Sequence, residues 1–326
     1  MKILVVGGAG YIGSVTVDQL LQAEHDVTVL DSLVAGHREA VNREAELVVS
    51  DARDEEALGR LMASRSFDAV VYYGGYIQAG ESVLNPGRYF ANNVGGCTAL
   101  LNTMVAYGVG RFVFSSSAAV YGQPDSVPIT EDAPARPVNP YGESKLMVER
   151  MLPWYEQSGG IRYASLRYFN AAGATDLRGE DHRPETHLIP IVLQAALGQR
   201  EAVPLYGTDY PTPDGTCIRD YIHVSDLASA HILALESASD GDSGVYNLGS
   251  GTGFSNREVI ETAGKVTGKP ITVREEPRRP GDPAQLVASN EKAKQALGWL
   301  PAITSLEAII DSAWRWHQSH PKGYTS

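Results

Sequence analysis

Sulfur and positive charge are both scarce in this chain. Only two cysteines, Cys97 and Cys217, occur in its 326 residues. That is too few for a disulfide scaffold, and no spacing of Cys and His reads as a metal-ligand cluster. Reduced thiols, no metal and a cytoplasmic location are therefore expected. Lys and Arg number 27 against 39 Asp and Glu, a formal net charge of −12, and no Lys/Arg run occurs, which disfavours nucleic acid and anionic membrane surfaces as partners. No segment approaches about 18 unbroken apolar residues. The apolar N-terminal run is broken by glycines and lacks a cleavage pattern, so neither a membrane span nor export is expected.

What the chain does have begins at once. Lys2-Ile-Leu-Val-Val6 reads as a buried strand, Gly8-Ala-Gly10-Tyr-Ile-Gly13 as a tight turn, and Ser14 to Gln22 as a helix. In such a unit the glycines permit the turn, let the backbone approach a pyrophosphate at the helix N-terminus and allow close helix–strand packing. Gly-rich turns are common, so the pattern gains its force from the strand beyond the helix. Asp26-Val-Thr-Val-Leu-Asp31 is that second strand and ends in a carboxylate, close to the ~20-residue offset at which an acid meets an adenosine ribose. Asp31 favours NAD over a 2'-phosphorylated dinucleotide, which it would repel. A third strand, Glu46 to Ser50, leads to Asp51, placed to hydrogen-bond the adenine edge.

Further strand-like runs at Asp68–Tyr72, Arg111–Phe114 and Tyr163–Arg167 alternate with helical segments. This rhythm predicts an α/β fold, a doubly wound parallel Rossmann sheet followed by a smaller C-terminal mixed α/β substrate lobe. Single cores rarely grow past about 250 to 300 residues, which also argues for two lobes. The expected division is residues 1–172 for the dinucleotide and 173–326 for the substrate, with 218–240 packing back on the first lobe. Strands in the second half are expected at Asp220–Val224, Gly244–Leu248 and Ile271–Val273, with no repeat and no second glycine fingerprint.

Chemistry is suggested by Asn139-Pro140-Tyr141-Gly-Glu-Ser-Lys145. Asn139 can cap a helix beginning at Pro140, which puts Tyr141 and Lys145 on one face. A tyrosine with pKa about 10 is a weak base at neutral pH. A neighbouring ammonium and a positive nicotinamide ring would stabilise its phenolate and let it take an alcohol proton. Ser115-Ser-Ser117 follows a buried strand at the edge where open α/β sheets bind ligands, and Ser117 is the candidate to bridge Tyr141 and a substrate oxygen.

With these motifs, and with Gly80-Glu-Ser82, Tyr89-Phe-Ala-Asn92-Asn-Val94, Arg167-Tyr-Phe-Asn170, Asp209-Tyr-Pro-Thr-Pro-Asp-Gly215 and Arg219-Asp-Tyr-Ile-His223, the chain resembles the extended short-chain dehydrogenase/reductases along its whole length. Within them it is most similar to those that invert C4 of a UDP-hexose. The resemblance implies NAD contacts from Gly7, Gly10, Tyr11, Ile12, Gly13, Asp31, Asp51, Asn92, Ser115, Tyr141, Lys145 and Phe169. It implies catalysis by Ser117, Tyr141 and Lys145, and UDP-sugar contacts from Ser117, Tyr141, Asn170, His187, Tyr206, Arg219, Arg279, Asp282 and Leu286. Helices at Gly87–Tyr107 and Pro140–Gln157 offer apolar faces that could pair two-fold, so a homodimer is expected. Relatives that dehydrate or decarboxylate nucleotide sugars place an acid just after the Ser/Thr site, where this chain has Ala118 and Ala119. That favours epimerisation over dehydration, ketoreduction or a non-catalytic NAD-binding role. Tyr72-Tyr-Gly-Gly75 departs from the family pattern, as does His187, which stands where some relatives have Asn. Leu286 replaces a bulky Tyr of some relatives, and its smaller size raises the expectation that an N-acetylated sugar fits.

Overall fold

A computed structural model describes residues 1–237, 243–279 and 281–325. Seven parallel strands form the main sheet: β1 Lys2–Val6, β2 Asp26–Asp31, β3 Glu46–Val49, β4 Ala69–Tyr72, β5 Arg111–Ser117, β6 Arg162–Tyr168 and β7 Gly244–Leu248. Their order across the sheet is β7-β6-β5-β4-β1-β2-β3. Strands covered on both faces need apolar side chains on both, and β1 meets that need by alternation. Ile3 and Val5 pack with Val17, Leu20, Leu227 and Ala230 on one face. Leu4 and Val6 pack with Leu58, Leu100, Val148 and Leu152 on the other. Helices α1 Tyr11–Gln22 and Val224–Ser237 cover the first face, and Glu55–Ser64, Gly95–Tyr107 and α2 Pro140–Gly159 cover the second.

Strand β1 lies between β2 and β4, so the chain departs from it in both directions and leaves a crevice at its carboxyl end. The glycine turn and the end of β4 meet there. The departure at Tyr72–Gly75 is absorbed without strain. Tyr72 is fully buried against Phe112 and Phe114, while Tyr73 points to the opposite face, where its hydroxyl lies 2.6 Å from Thr16 Oγ1.

The second lobe contains short strands Asn170–Ala172, Ile218–His223, Gly253–Ser255 and Gln285–Leu286, a separate pair Val203–Tyr206 with Val273–Glu276, and three helices around their own core. Two boundaries differ from the sequence reading. The division at residue 172 is not a clean cut, because Gly244–Leu248 joins the large sheet beside β6 rather than the second lobe. The Ser triplet does not follow β5 but forms its last three residues. Within the expected stretch 218–240, helix Val224–Ser237 does pack on the first lobe, and Gln19 Nε2 donates to Ser225 O at 3.1 Å; residues 238–240 lie outside the described residues. Among the described residues no helix is long and apolar enough to cross a membrane.

Helix α2 is fixed to the sheet by charge as well as by packing. Glu149, 4% exposed at its side chain, receives Arg167 Nη2 at 2.5 Å, and the arginine is 8% exposed. The same carboxylate accepts from Ser116 Oγ at 2.5 Å and Ser165 Oγ at 3.1 Å. Removing one member of a buried pair leaves a charge without a partner, so Glu149→Ala should cost about 3–5 kcal/mol of stability. A urea-unfolding comparison at pH 7 checks this, and a loss below about 1 kcal/mol would contradict a structural role for the pair.

Candidate active site

The glycine turn opens α1 with Gly10 in extended conformation. No side chain caps it, and no acidic residue stands in its first turn. The first N–H groups of a helix have no intrahelical acceptor, so this end is a positive cradle suited to a diphosphate. Close packing dictates its last glycine, since a Cβ on Gly13 would stand 2.3 Å from Gly7 O. Asp31, at the end of β2, is tied into the same turn. Its Oδ2 accepts from Ala9 N at 2.9 Å and its Oδ1 from Leu33 N at 2.9 Å, and burial raises its pKa above the ordinary carboxylate value. A carboxylate keeps further lone pairs for a ribose hydroxyl. These features fit a dinucleotide of the NAD type. Asp51 is less free than expected, because Arg53 grips it in a fork at 2.9 and 2.6 Å and holds its pKa low.

Across the crevice, Asn139 Oδ1 accepts from Gly142 N at 2.9 Å and starts α2 as expected, with Pro140 in the first turn. Helix α2 can press against the end of β5 because Gly142 has no side chain, as a Cβ there would lie 2.5 Å from Ala119 O. Three residues that the sequence reading did not single out hold Tyr141 in place. Tyr141 N donates to Ser82 Oγ at 3.1 Å, and Tyr141 O accepts from Ser144 Oγ at 2.7 Å. Buried Asn93 donates to Ser144 Oγ at 3.0 Å and binds Tyr76 N and O at 2.8 and 3.0 Å. Ser82 and Asn93 sat inside motifs that carried the resemblance, and burial was the missing cue. Asn92, expected at the cofactor, lies on a π-helical turn, Phe90–Val94, and donates to Asn93 Oδ1 at 3.1 Å. Such turns recur at functional sites.

The three serines divide by strand alternation. Ser116 belongs to Glu149 on the far face. Ser115 Oγ lies 2.9 Å from His231 Nε2, while His231 Nδ1 lies 2.8 Å from Leu227 O. A carbonyl only accepts, so Nδ1 carries the proton and Ser115 donates to Nε2. Burial pushes the His231 pKa down to about 4, which keeps the ring neutral. The Ser115 hydroxyl therefore spends its proton on His231 and keeps only acceptor capacity for a cofactor. Ser117 remains, half-buried, accepting from Ala119 N at 3.2 Å, and its hydroxyl lowers the Tyr141 pKa.

The lysine is anchored by the strand. Lys145 shares the face of Tyr141, yet its Nζ donates to Ser115 O at 2.8 Å and sits 6.0 Å from the centre of the Tyr141 ring. Burial lowers its pKa to about 8. Burial raises the Tyr141 pKa, and the Ser117 hydrogen bond offsets only part of that. With the chain's own groups alone, the phenol is protonated at neutral pH. An additional positive charge beside the ring is what would ionise it.

The expected substrate residues gather on the second lobe. Arg219 donates from Nη1 to Ile218 O and Pro283 O, both at 2.9 Å, and lies 3.9 Å from Asp282. Arg279 stacks 3.9 Å over the Tyr206 ring. Asn170 Nδ2 donates to Asp220 O at 3.2 Å. Leu286 pairs in register with Arg219 and packs on the cluster containing Ala118 and Phe169. His187 Nδ1 is 2.5 Å from Glu180 Oε1, so that nitrogen faces the loop's carboxylates.

Residues 3–249 match the NAD dependent epimerase/dehydratase family. The chain belongs to that family. As a member it is 52% identical over 329 residues to the UDP-glucose 4-epimerase of Halalkalibacterium halodurans, covering 100% of this chain and 98% of that protein. It is 51% identical to the UDP-glucose 4-epimerase of Streptococcus mutans, with 99% of each covered. A crystal structure of a UDP-glucose 4-epimerase superposes with a TM-score of 0.98 at 48% identity, covering 100% of both chains. The Bifidobacterium longum enzyme in complex with NAD+ and UDP superposes at 0.95 with 38% identity, covering 99% of this chain and 100% of that one.

The buried ammonium of this family member carries a cost that pH exposes. A drop from 10.5 to about 8 corresponds to roughly 3 kcal/mol at 1.36 kcal/mol per unit. Below pH about 8 both folded and unfolded chains are charged and the penalty is fully present. Between about 8 and 10.5 only the unfolded chain keeps its proton, so wild-type stability rises relative to a neutral variant. Lys145→Met should therefore be the more stable protein at pH 7, with the difference shrinking towards pH 10.5, while turnover falls. Urea midpoints across this range check it, and a pH-independent difference would refute it.

Proposed function

We propose that this chain is an NAD-dependent UDP-glucose 4-epimerase, interconverting UDP-galactose and UDP-glucose through a 4-keto sugar. The observation that carries the reading is the Ser117–Tyr141 pair at the carboxyl edge of the sheet, followed by Ala118 and Ala119 and not by an acid. One proton acceptor suffices for removing and returning hydrogen at C4, whereas dehydration needs a second proton-transfer group. Bound NAD would supply a hydride acceptor and donor for C4, so that no external reductant would be consumed. Tyr141 takes the 4-hydroxyl proton and later returns it, with Ser117 bridging the two oxygens. Lys145 orients the site from Ser115 O. Gly7, Gly10, Tyr11, Ile12, Gly13, Asp31 and Phe169 would hold the dinucleotide. Arg219 and Arg279 hold the diphosphate, which suits planar cationic donors, and Tyr206 faces the uracil. Full-length similarity to UDP-glucose 4-epimerases supports the assignment.

Purified chain given UDP-galactose without added NAD should yield UDP-glucose. Tyr141→Phe should lower kcat by about 10²- to 10⁴-fold with an unchanged circular dichroism spectrum. An undiminished rate would remove Tyr141 from the base role.

A leucine rather than a bulky tyrosine at position 286 supports a wider sugar range. UDP-N-acetylglucosamine should also be turned over, and Leu286→Tyr should suppress that activity while sparing UDP-galactose. Absence of N-acetyl turnover at high enzyme concentration overturns this point. A homodimer formed through α2 and Gly95–Tyr107 is supported by exposed Trp154 at 70% and Tyr107 at 48%, and sedimentation of Trp154→Glu tests it. Two free, buried cysteines agree with a cytoplasmic location.

A further inference from the structure

Behind the glycine turn, the loop that follows Asn170–Ala172 brings together four side chains able to bind a metal. Glu180, His182, Glu185 and His187 each offer one ligand atom, and these atoms all lie within 4.8 Å of one another. Glu180 Oε1 is 2.5 Å from His187 Nδ1 and 3.1 Å from His182 Nδ1. Glu185 carboxylate oxygens are 3.6 Å from His187 Nδ1 and 3.9 Å from His182 Nδ1. The two carboxylates are only 5% and 4% exposed.

Two buried carboxylates side by side repel each other and need compensating charge. Among the described residues neither forms an ion pair with Lys or Arg. The nearby guanidiniums are engaged elsewhere, Arg183 with Asp181 at 3.0 Å and Arg178 with Asp18 at 2.9 Å. His182 Nδ1 is buried and makes no hydrogen bond, although it faces Glu180. A buried imidazole nitrogen without a hydrogen-bond partner, standing between two carboxylates, is an arrangement that a cation completes.

We propose that Glu180, His182, Glu185 and His187 bind one divalent transition-metal ion, Zn²⁺ by preference. Two imidazole nitrogens and two carboxylate oxygens make a closed four-ligand set, which suits a structural zinc site, whereas Mg²⁺ and Ca²⁺ take all-oxygen sets. Bonds of about 2.0–2.1 Å in a tetrahedron place ligand atoms roughly 3.3 Å apart. The present spread of up to 4.8 Å must shrink to that when an ion binds. An entry path exists, because a cavity of ≈ 380 Å³ is lined by Glu180, His182 and Glu185 together with His317 and His320 from the C-terminal segment.

The location gives the ion a purpose. The His182 ring stands edge-on to Tyr11, 6.3 Å between centres, and Tyr11 Oη donates to Gly173 O at 2.5 Å. Gln78 Nε2 donates to Pro184 O at 3.2 Å. The loop thus bridges the first turn of α1, the segment after β4 and the second lobe. A metal in it would fasten the two lobes beside the dinucleotide cradle without joining the proton chemistry.

The test uses the full chain stripped with EDTA and then dialysed to equilibrium against micromolar ZnCl₂, with metal measured by inductively coupled plasma mass spectrometry. About one zinc per chain is expected, falling at least about tenfold in Glu180→Gln/His182→Gln. Cobalt(II) in place of zinc should give the intense visible bands of a four-coordinate ion. This spectrum is read on the unaltered chain and so does not depend on the variant folding. No bound zinc above the dialysis buffer, a six-coordinate cobalt spectrum, or full zinc content in a folded double variant would each overturn the proposal.

Discussion

The placement of helix α2 against the end of β5 is the constraint on which the site depends. Tyr141 and Lys145 ride on that helix, the Ser triplet ends that strand, and the Glu149–Arg167 pair locks the two together from the far face. Ser116 takes part in the lock, so its neighbours 115 and 117 must point to the opposite face of the sheet by strand alternation. The chemistry on one face of β5 is thus positioned by a charge pair on the other. Because that pair is buried, it tolerates neither the loss of one partner nor a register shift of the strand.

The site's electrostatics run against its own stability. Burial weakens the hold of Lys145 on its proton and keeps Tyr141 protonated, so the isolated chain does not hold the phenol ready to take a proton. A positive nicotinamide ring is the missing charge on the proposed reading, which makes the base strongest when the cofactor is oxidised and weakest when it is reduced. Proton abstraction is then coupled to the stage of the cycle at which it is needed. A lysine close enough to ionise the phenol on its own would lose that coupling.

Much of this was legible in the sequence, and the limits have physical causes. The glycine turn, Asp31 and the Tyr141–Lys145 pair are local patterns, fixed by tight-turn sterics and by helical spacing. Ser117 followed from its place at a strand end. The direction of the Lys145 ammonium was not legible, because the carbonyl that attracts it is 30 residues away, and the histidine that engages Ser115 is 116 residues away. The return of Gly244–Leu248 to the large sheet is a non-local pairing of the same kind. The Glu180–His187 cluster was missed for another reason. Its ligands follow neither a helical spacing nor a short zinc-finger spacing, and they converge only once the loop has folded over α1.

The division of labour between the lobes bears on how a single base can serve both faces of a sugar ring. Proton and hydride chemistry belong to the first lobe, while the residues proposed to grip the diphosphate belong to the second. Those two arginines are not equivalent. Arg219 is fixed by two backbone carbonyls at 2.9 Å and its side chain is 13% exposed, so it can act as a rigid post. Arg279 is exposed and held chiefly by stacking on Tyr206, which permits it to follow a moving ligand. One fixed and one mobile contact on the diphosphate would retain the keto sugar while its ring turns between faces. Contacts of equal rigidity on the hexose itself would prevent that turn. On this view the apolar cluster of Ala118, Phe169 and Leu286 near Ser117 suits the reaction. A wall that bonded the sugar hydroxyls strongly in one orientation would favour one face over the other and slow the return of hydride.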